Sequence, residues 1–140
     1  EAQQQFELHR TVNAQDVENA AWHFLCTTRA EGLAAARKKL IPVEADPRVP
    51  MAEVQRLFAG KATPEDVLAA AKAAPPKTRA GEPLFYAHLY LGIYYEALGE
   101  EGPAREHIFE AAKRWKENGY MGDVARVHAE LLRKKQRTER

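Results

Sequence analysis

The chain has 140 residues, of which 45% are hydrophobic and 29% are charged, and its formal net charge is +1. This composition is typical of a single folded domain and excludes an intrinsically disordered chain. The nearly balanced charge gives no reason to expect nucleic acid as a partner. The sequence contains no run of about 18 apolar residues, so no membrane span is predicted.

A single cysteine, Cys26, excludes an intrachain disulfide and a cysteine-rich metal site. The sequence begins Glu1-Ala2-Gln3, without an initiator methionine. A signal segment removed ahead of this start would leave no trace, so the cytoplasm and the periplasm both stay open as compartments.

The first part of the chain predicts helices after a polar start. Residues 1–5 are polar, and we expect them to be frayed. From Ala14 onward, apolar side chains recur at three- and four-residue steps, which predicts a helix that Gly32 interrupts. Residues 33–40 resume helical character, and Pro42 closes this segment.

The middle of the chain carries clear start and stop signals for helices. Residues 51–59 form a predicted short helix that Gly60 ends. Thr63 suits the capping position of the next helix, and Pro64 suits its first turn. This helix is expected to run through Ala74.

The last part of the chain predicts three more helices. Residues 84–98 form a long helix rich in aromatic side chains, which Gly99 ends. Residues 102–118 form the next helix, which stops at Gly119, and residues 121–134 form the last one. About seven helices joined by short connections, with no predicted strand, favour an all-α fold.

Residues 85–118 contain spaced small and large side chains that suit a close helical hairpin. The spacing is His88-x-x-Leu91-Gly92-x-x-Tyr95, then Gly99, then Ala104-x-x-x-Ile108, then Ala111. Small residues at positions 92 and 104 allow two antiparallel helices to approach each other closely. The segment resembles the tetratricopeptide repeat (TPR) family, whose pattern is Trp-x-x-Leu-Gly-x-x-Tyr followed by Ala-x-x-x-Phe. His88 in place of Trp, and Lys116 in place of the closing proline, depart from it.

The resemblance implies an architecture for the whole chain. It implies a single domain over residues 1–140, in which antiparallel helical hairpins stack as a right-handed superhelical array. Residues 85–118 are the best repeat, and residues 16–42 and 51–76 are degenerate repeats. Residues 121–135 would cap the array, with Val124, Val127 and Leu131 on the inner face and charged residues outside. The aromatic helix is also similar to bacterial members of the family.

The resemblance implies a protein- or peptide-binding scaffold without a cofactor, and not an enzyme. In the family, the first helix of each hairpin lines a concave groove. By this analogy Tyr86, Leu89, Ile93 and Glu96 would face a bound peptide. Two alternatives remain: the aromatic side chains pack against the middle helices, or they bury in a homodimer, which would make the chain a self-associating module.

A metal- or thiol-dependent enzyme is a further alternative. The chain contains no serine, so a nucleophile would have to be Cys26 or a threonine. Cys26 lies three residues after His23 on one helical face, where it is either activated or an inert packing group. His88 and His107 could meet across the predicted hairpin, either as metal ligands or as partly buried side chains.

Two basic stretches have an ordinary explanation as well as a functional one. Residues 37–39 and 133–137 are rich in lysine and arginine. Electrostatic contact with nucleic acid or anionic lipid is conceivable for both stretches. Complementarity to helix C-termini and a solvated tail explain the same residues without a partner.

Overall fold

The structure is a computed structural model that describes residues 1–79 and 81–138. Ala80, Glu139 and Arg140, which the predicted domain includes, lie outside these ranges. The described residues form eight α-helices and no β-strand, which confirms the all-α prediction. The helices are α1 (Ala2–His9), α2 (Val17–Glu31), α3 (Leu33–Lys38), α4 (Met51–Phe58), α5 (Pro64–Ala73), α6 (Pro83–Ala97), α7 (Glu101–Lys113) and α8 (Gly119–Thr138).

Local signals explain where several helices begin and end. The Thr63 side chain accepts a hydrogen bond from the Asp66 amide, and the Asp66 carboxylate accepts one from the Thr63 amide, which forms a capping box ahead of Pro64. Gly60 follows α4 and Gly99 follows α6, each with a positive φ, 76° and 77°. Only glycine adopts this conformation without strain, so both glycines act as helix stops. No helix in the described part of the chain is long and apolar enough to cross a membrane.

Helices α6 and α7 form a tight antiparallel hairpin, as the spacing of small residues predicted. A Cβ atom added to Gly92 would lie 2.5 Å from Cδ1 of Ile108 and 3.2 Å from its backbone nitrogen. Ile108 is fully buried, so its side chain fills the space that a larger residue at position 92 would need. The close-contact role predicted for Gly92 is therefore confirmed.

Helix α2 runs beside α6 in the same direction and also packs on α4. Near the start of α2, Glu18 binds Arg48, whose guanidinium lies over the ring of Tyr86 in α6. Near the end of α2, Arg29 binds Glu96 at the end of α6. Helix α2 therefore contacts α6 directly as well as α4.

Three aromatic rings join α2, α4 and α6 in the centre of the core. The ring centroids of Phe24 and Phe58 are 4.9 Å apart, and those of Phe58 and Tyr94 are 5.5 Å apart. Both pairs meet edge to face, the geometry that aromatic quadrupoles prefer. This core stabilises the arrangement of the three helices.

The N-terminal segment is helical, so the expectation of frayed residues 1–5 was wrong. Helix α1 packs along α2 through polar contacts. Asn19 donates a hydrogen bond to the Phe6 carbonyl at 2.9 Å, and Gln3 donates one to Thr27 Oγ1 at 2.9 Å. Contacts made by polar side chains leave no apolar periodicity in the sequence, so the sequence pattern did not predict helix α1.

The last helix has its predicted position but not its predicted orientation. Helix α8 buries Gly122, Ala125 and Ala129 rather than the valine and leucine side chains. Val127 and Leu131 are 45% and 59% exposed. One reason is backbone proximity: a short 3-10 turn, Trp115–Glu117, follows α7, and α8 lies so close to Trp115 that only glycine fits at position 122.

Candidate binding groove

The residues predicted to line a peptide groove lie mostly in the core. Leu89 and Ile93 are fully buried, and Tyr86 is only 8% exposed. Of the predicted set, only Glu96 retains partial access to solvent. Helices α2, α4, α5 and α7 surround α6, so the expectation that these side chains face an open groove is corrected. Tyr94 packs on Phe58 of a middle helix, as the alternative interpretation stated.

An open groove lies instead between α2 and α8, with a volume of about 580 Å³. A second hollow of about 500 Å³ continues it toward α1, and the two share Trp22, Tyr120 and Val124. The apolar side chains along the groove are Trp22, Leu25, Val124, Val127, Leu131 and Leu132. The two walls of the groove are α2 and α8. Residue numbers increase along both helices from the α1 end of the groove to the other end, so α2 and α8 run in the same direction.

An ionic cluster crosses the floor of the groove and joins three helices. Glu96 of α6 binds Arg29 of α2, and its Oε2 lies 2.8 Å from Nε2 of His128 in α8. The ring centroid of His128 is 6.4 Å from that of Trp22. Burial opposes ionisation of Glu96, but the close contact with His128 and the positive charge of Arg29 outweigh it and lower its pKa.

One end of the groove is acidic. Around Arg48 stand three carboxylates: Asp46 Oδ2 at 2.6 Å, Asp16 Oδ1 at 3.0 Å, and Glu18. Burial raises the pKa of Glu18, and Arg48 offsets only part of that effect. His9 Nε2 lies 3.3 Å from Asp16 and adds positive charge only when protonated. Carboxylates therefore outnumber cations at this end, and Asp16 and Glu18 line the groove itself.

The other end of the groove is basic. Arg29 and Lys135 line it, and the hollow beyond them also includes Arg105. Glu101 binds both Lys135, at 2.7 Å, and Arg105, at 3.4 Å. The cations Arg29, Lys135 and Arg105 therefore outnumber the carboxylates Glu96 and Glu101 at this end. The groove thus has an apolar centre between ends of opposite charge.

His88 and His107 meet across the α6–α7 hairpin, as predicted. Their Nδ1 atoms are 2.9 Å apart, and the ring of Tyr95 stacks on His107 with centroids 5.6 Å apart. Burial, and then the charge of His107, lower the pKa of His88 to about 4. Burial likewise lowers the pKa of His107. Nowhere in the described residues do three or more His, Cys, Asp or Glu side chains converge as metal ligands would.

Cys26 and His23 are held in different surroundings. His23 is almost fully buried and its Nε2 lies 3.2 Å from Oε1 of Glu7, so its ring is engaged with α1. Cys26 is partly exposed. This geometry gives a thiol–imidazole pair no support.

The sequence contains a signal for the groove, but the prediction placed these side chains on the buried face of the last helix. Tyr120, Val124, Val127 and Leu131 follow one another at steps of four, three and four residues. Such spacing marks one apolar face of a helix. The face is correctly identified, but it borders the groove because the opposite face of small residues is the buried one.

Comparison with known proteins gives no relative for this chain: it matches no protein-family model, no curated protein and no solved structure.

Proposed function

We propose that this chain is a protein-binding module of TPR-like helical repeat construction, and that it binds an amphipathic helical segment in the groove between α2 and α8. The single observation that carries the proposal is the apolar face of α8. Tyr120 is 81% exposed, Val127 45% and Leu131 59%. Contiguous exposed apolar side chains beside a concave surface are typical of protein interaction sites.

The dimensions of the groove suit a helix. The apolar face of α8 extends from Tyr120 to Leu131, which is about 16 Å at the helical rise of 1.5 Å per residue. A helix of about three turns would lie along it with its apolar side toward Trp22. Recognition of this kind depends on side chains three and four positions apart that fill one groove.

The charges at the two ends select the polarity of the bound segment. Its basic end would lie near Asp16 and Glu18, where carboxylates are in excess. An acidic end would lie near Arg29 and Lys135. Complementary charges of this sort raise the association rate and fix the orientation of a partner.

The α6–α7 hairpin supports the helical-repeat part of the proposal. The close contact of Gly92 with Ile108 and the stop at Gly99 suit a helical-repeat hairpin. The groove takes no cofactor in this proposal, and its chemistry is binding rather than catalysis. The proposed binding surface is the α2–α8 groove. It replaces Tyr86, Leu89 and Ile93, which the sequence predicted as peptide-binding residues and which lie in the core.

The experiment uses two designed amphipathic peptides with the same apolar face. Both peptides carry glutamates at the N-terminal end, and they differ at the C-terminal end, where one carries lysines and the other carries glutamates. Binding is measured by tryptophan fluorescence in a Trp115→Phe background, which leaves Trp22 as the reporter. The lysine peptide is expected to bind more tightly than the glutamate peptide.

A matched pair of variants makes the test specific. Val127→Glu places a charge on the apolar face, whereas Val12→Glu makes the same change at an exposed valine away from the groove. We expect Val127→Glu to weaken binding at least tenfold, about 1.4 kcal/mol or more. Equal binding to both variants, or no binding of either peptide to protein that is monomeric at the concentration used, would overturn the proposal.

A further inference from the structure

We infer that the segment bound in the groove is helix α8 of a second copy of this chain, lying antiparallel to α8 of the first. The inference rests on the proposed function and names its partner. Helix α8 fits the required chemistry, because it combines an apolar face with a basic end in residues 133–137. The two copies would form a symmetric dimer in which each helix supplies what the other groove needs.

The spacing of the apolar residues suits an antiparallel helix pair. Steps of four, three and four residues produce a seam of the coiled-coil type. When two such helices lie antiparallel, Tyr120 of one copy can pack on Leu131 of the other, and Val124 on Val127. Each of the four apolar residues then packs on an apolar residue of the other copy.

Charge complementarity favours the same orientation. In this alignment, the basic residues that follow Leu131 in one copy extend past Tyr120 of the other. They then approach the end of the groove where Asp16 and Glu18 lie, beside the start of α2. Lys134, which is exposed, is the cation placed to meet that excess of carboxylates.

The helix dipoles support the antiparallel arrangement as well. Helices α2 and α8 of one copy run in the same direction, so their dipoles add along the groove. A helix that enters between them with the opposite direction places its N-terminus near their C-termini, which is the favourable alignment. A parallel second helix would meet like charges at both ends.

Twofold symmetry limits the assembly to a dimer. Each copy offers the same surface, namely an apolar centre with an acidic end and a basic end. A surface of this kind is self-complementary under a twofold axis, because each end meets its opposite in the partner. The assembly therefore ends at two copies and does not propagate.

The first experiment is sedimentation velocity of the full chain over a series of protein concentrations. We expect a concentration-dependent dimer that Val127→Glu weakens at least tenfold and that Val12→Glu leaves intact. Lys134→Glu should also weaken the dimer, and added salt should reduce this effect because it screens the new repulsion. Circular dichroism confirms that each variant is folded.

The second experiment tests the orientation by disulfide cross-linking in a Cys26→Ala background. Protein with Tyr120→Cys is mixed with protein with Leu131→Cys and oxidised. A disulfide needs Cα atoms about 4.4–6.8 Å apart, so the mixed pair should cross-link. Each variant alone should not, because its two cysteines would be about 16 Å apart along the helices.

The outcomes separate this inference from the proposed function. A monomer at all concentrations that still binds the lysine peptide overturns the second copy as partner and leaves the groove as a binding site. A dimer that Val127→Glu does not weaken, or Tyr120→Cys protein that cross-links to itself, overturns the antiparallel α8 pairing. A monomer that binds neither peptide overturns both.

Discussion

Gly122 of α8 lies against the backbone of Trp115, so that a Cβ atom at position 122 would stand 2.0 Å from the Trp115 carbonyl oxygen. Backbone atoms cannot move aside as a side-chain terminus can. We therefore expect Gly122→Ala to destabilise the protein by about 1–3 kcal/mol or more, through displacement of α8. Urea denaturation measures the change.

Gly102 provides the control for that substitution. It is also helical, but nothing lies within 4 Å of a Cβ atom added there. Gly102→Ala should be neutral or stabilise by up to about 1 kcal/mol, since alanine is the better helix former. Equal effects of the two substitutions would show that α8 does not lie this close to the turn.

Arg48 stabilises the loop between α3 and α4 by binding the start of α2. It pairs with Asp46, whose side chain is only 1% exposed, and with Glu18. Arg48→Met leaves these carboxylates without their cation, and we expect a loss of about 3–5 kcal/mol in the free energy of unfolding. Lys39→Met, which breaks an exposed pair with Glu31, should cost less than about 1 kcal/mol. The prediction fails when both variants denature at the same urea concentration.

The His88–His107 pair should make stability depend on pH. The pKa of His88 falls from its ordinary value of 6.5 to about 4 in the folded chain. Between these values the unfolded chain binds a proton that the folded chain does not, so stability is full above pH 6.5 and declines as the pH falls toward 4. The pair is also near Glu110, Glu106 and Arg114, whose charges partly oppose one another.

His88→Phe removes this titration and keeps a ring in the site. We expect the variant to lose less stability than the unmodified protein between pH 7 and pH 5, as measured by urea denaturation at each pH. Carboxylates that titrate in the same range contribute to both proteins and cancel in the comparison. Parallel curves for the two proteins would contradict the role assigned to His88.

Much of the helical content could be predicted because it depends on local signals. Thr63 and Pro64 begin a helix through capping and fixed φ, and Gly99 ends one through its positive φ. The contact of Gly92 with Ile108 was also predictable, because the spacing of small and large residues within one hairpin fixes which side chains meet. Such signals act over a few residues or across one short turn.

The groove could not be predicted, because it depends on contacts distant in sequence. Leu89 and Ile93 are buried on α6, where α2 and α4, which are distant in sequence, also pack. The apolar face of α8 points outward because the opposite face, with Gly122, Ala125 and Ala129, is the buried one, and Gly122 lies against the Trp115 backbone. Apolar periodicity identifies a face of a helix but does not tell which partner, if any, covers it.

The most direct test of the groove is a nuclear magnetic resonance titration of the protein with the lysine-ended peptide, which follows the Trp22 indole N–H and the side-chain methyl groups. We expect the resonances of Trp22, Val127 and Leu131 to shift as the peptide binds, while those of Leu89 and Ile93 keep their positions. Shifts centred on Leu89 and Ile93, with Trp22 and Leu131 unchanged, would contradict this expectation and return the binding site to α6.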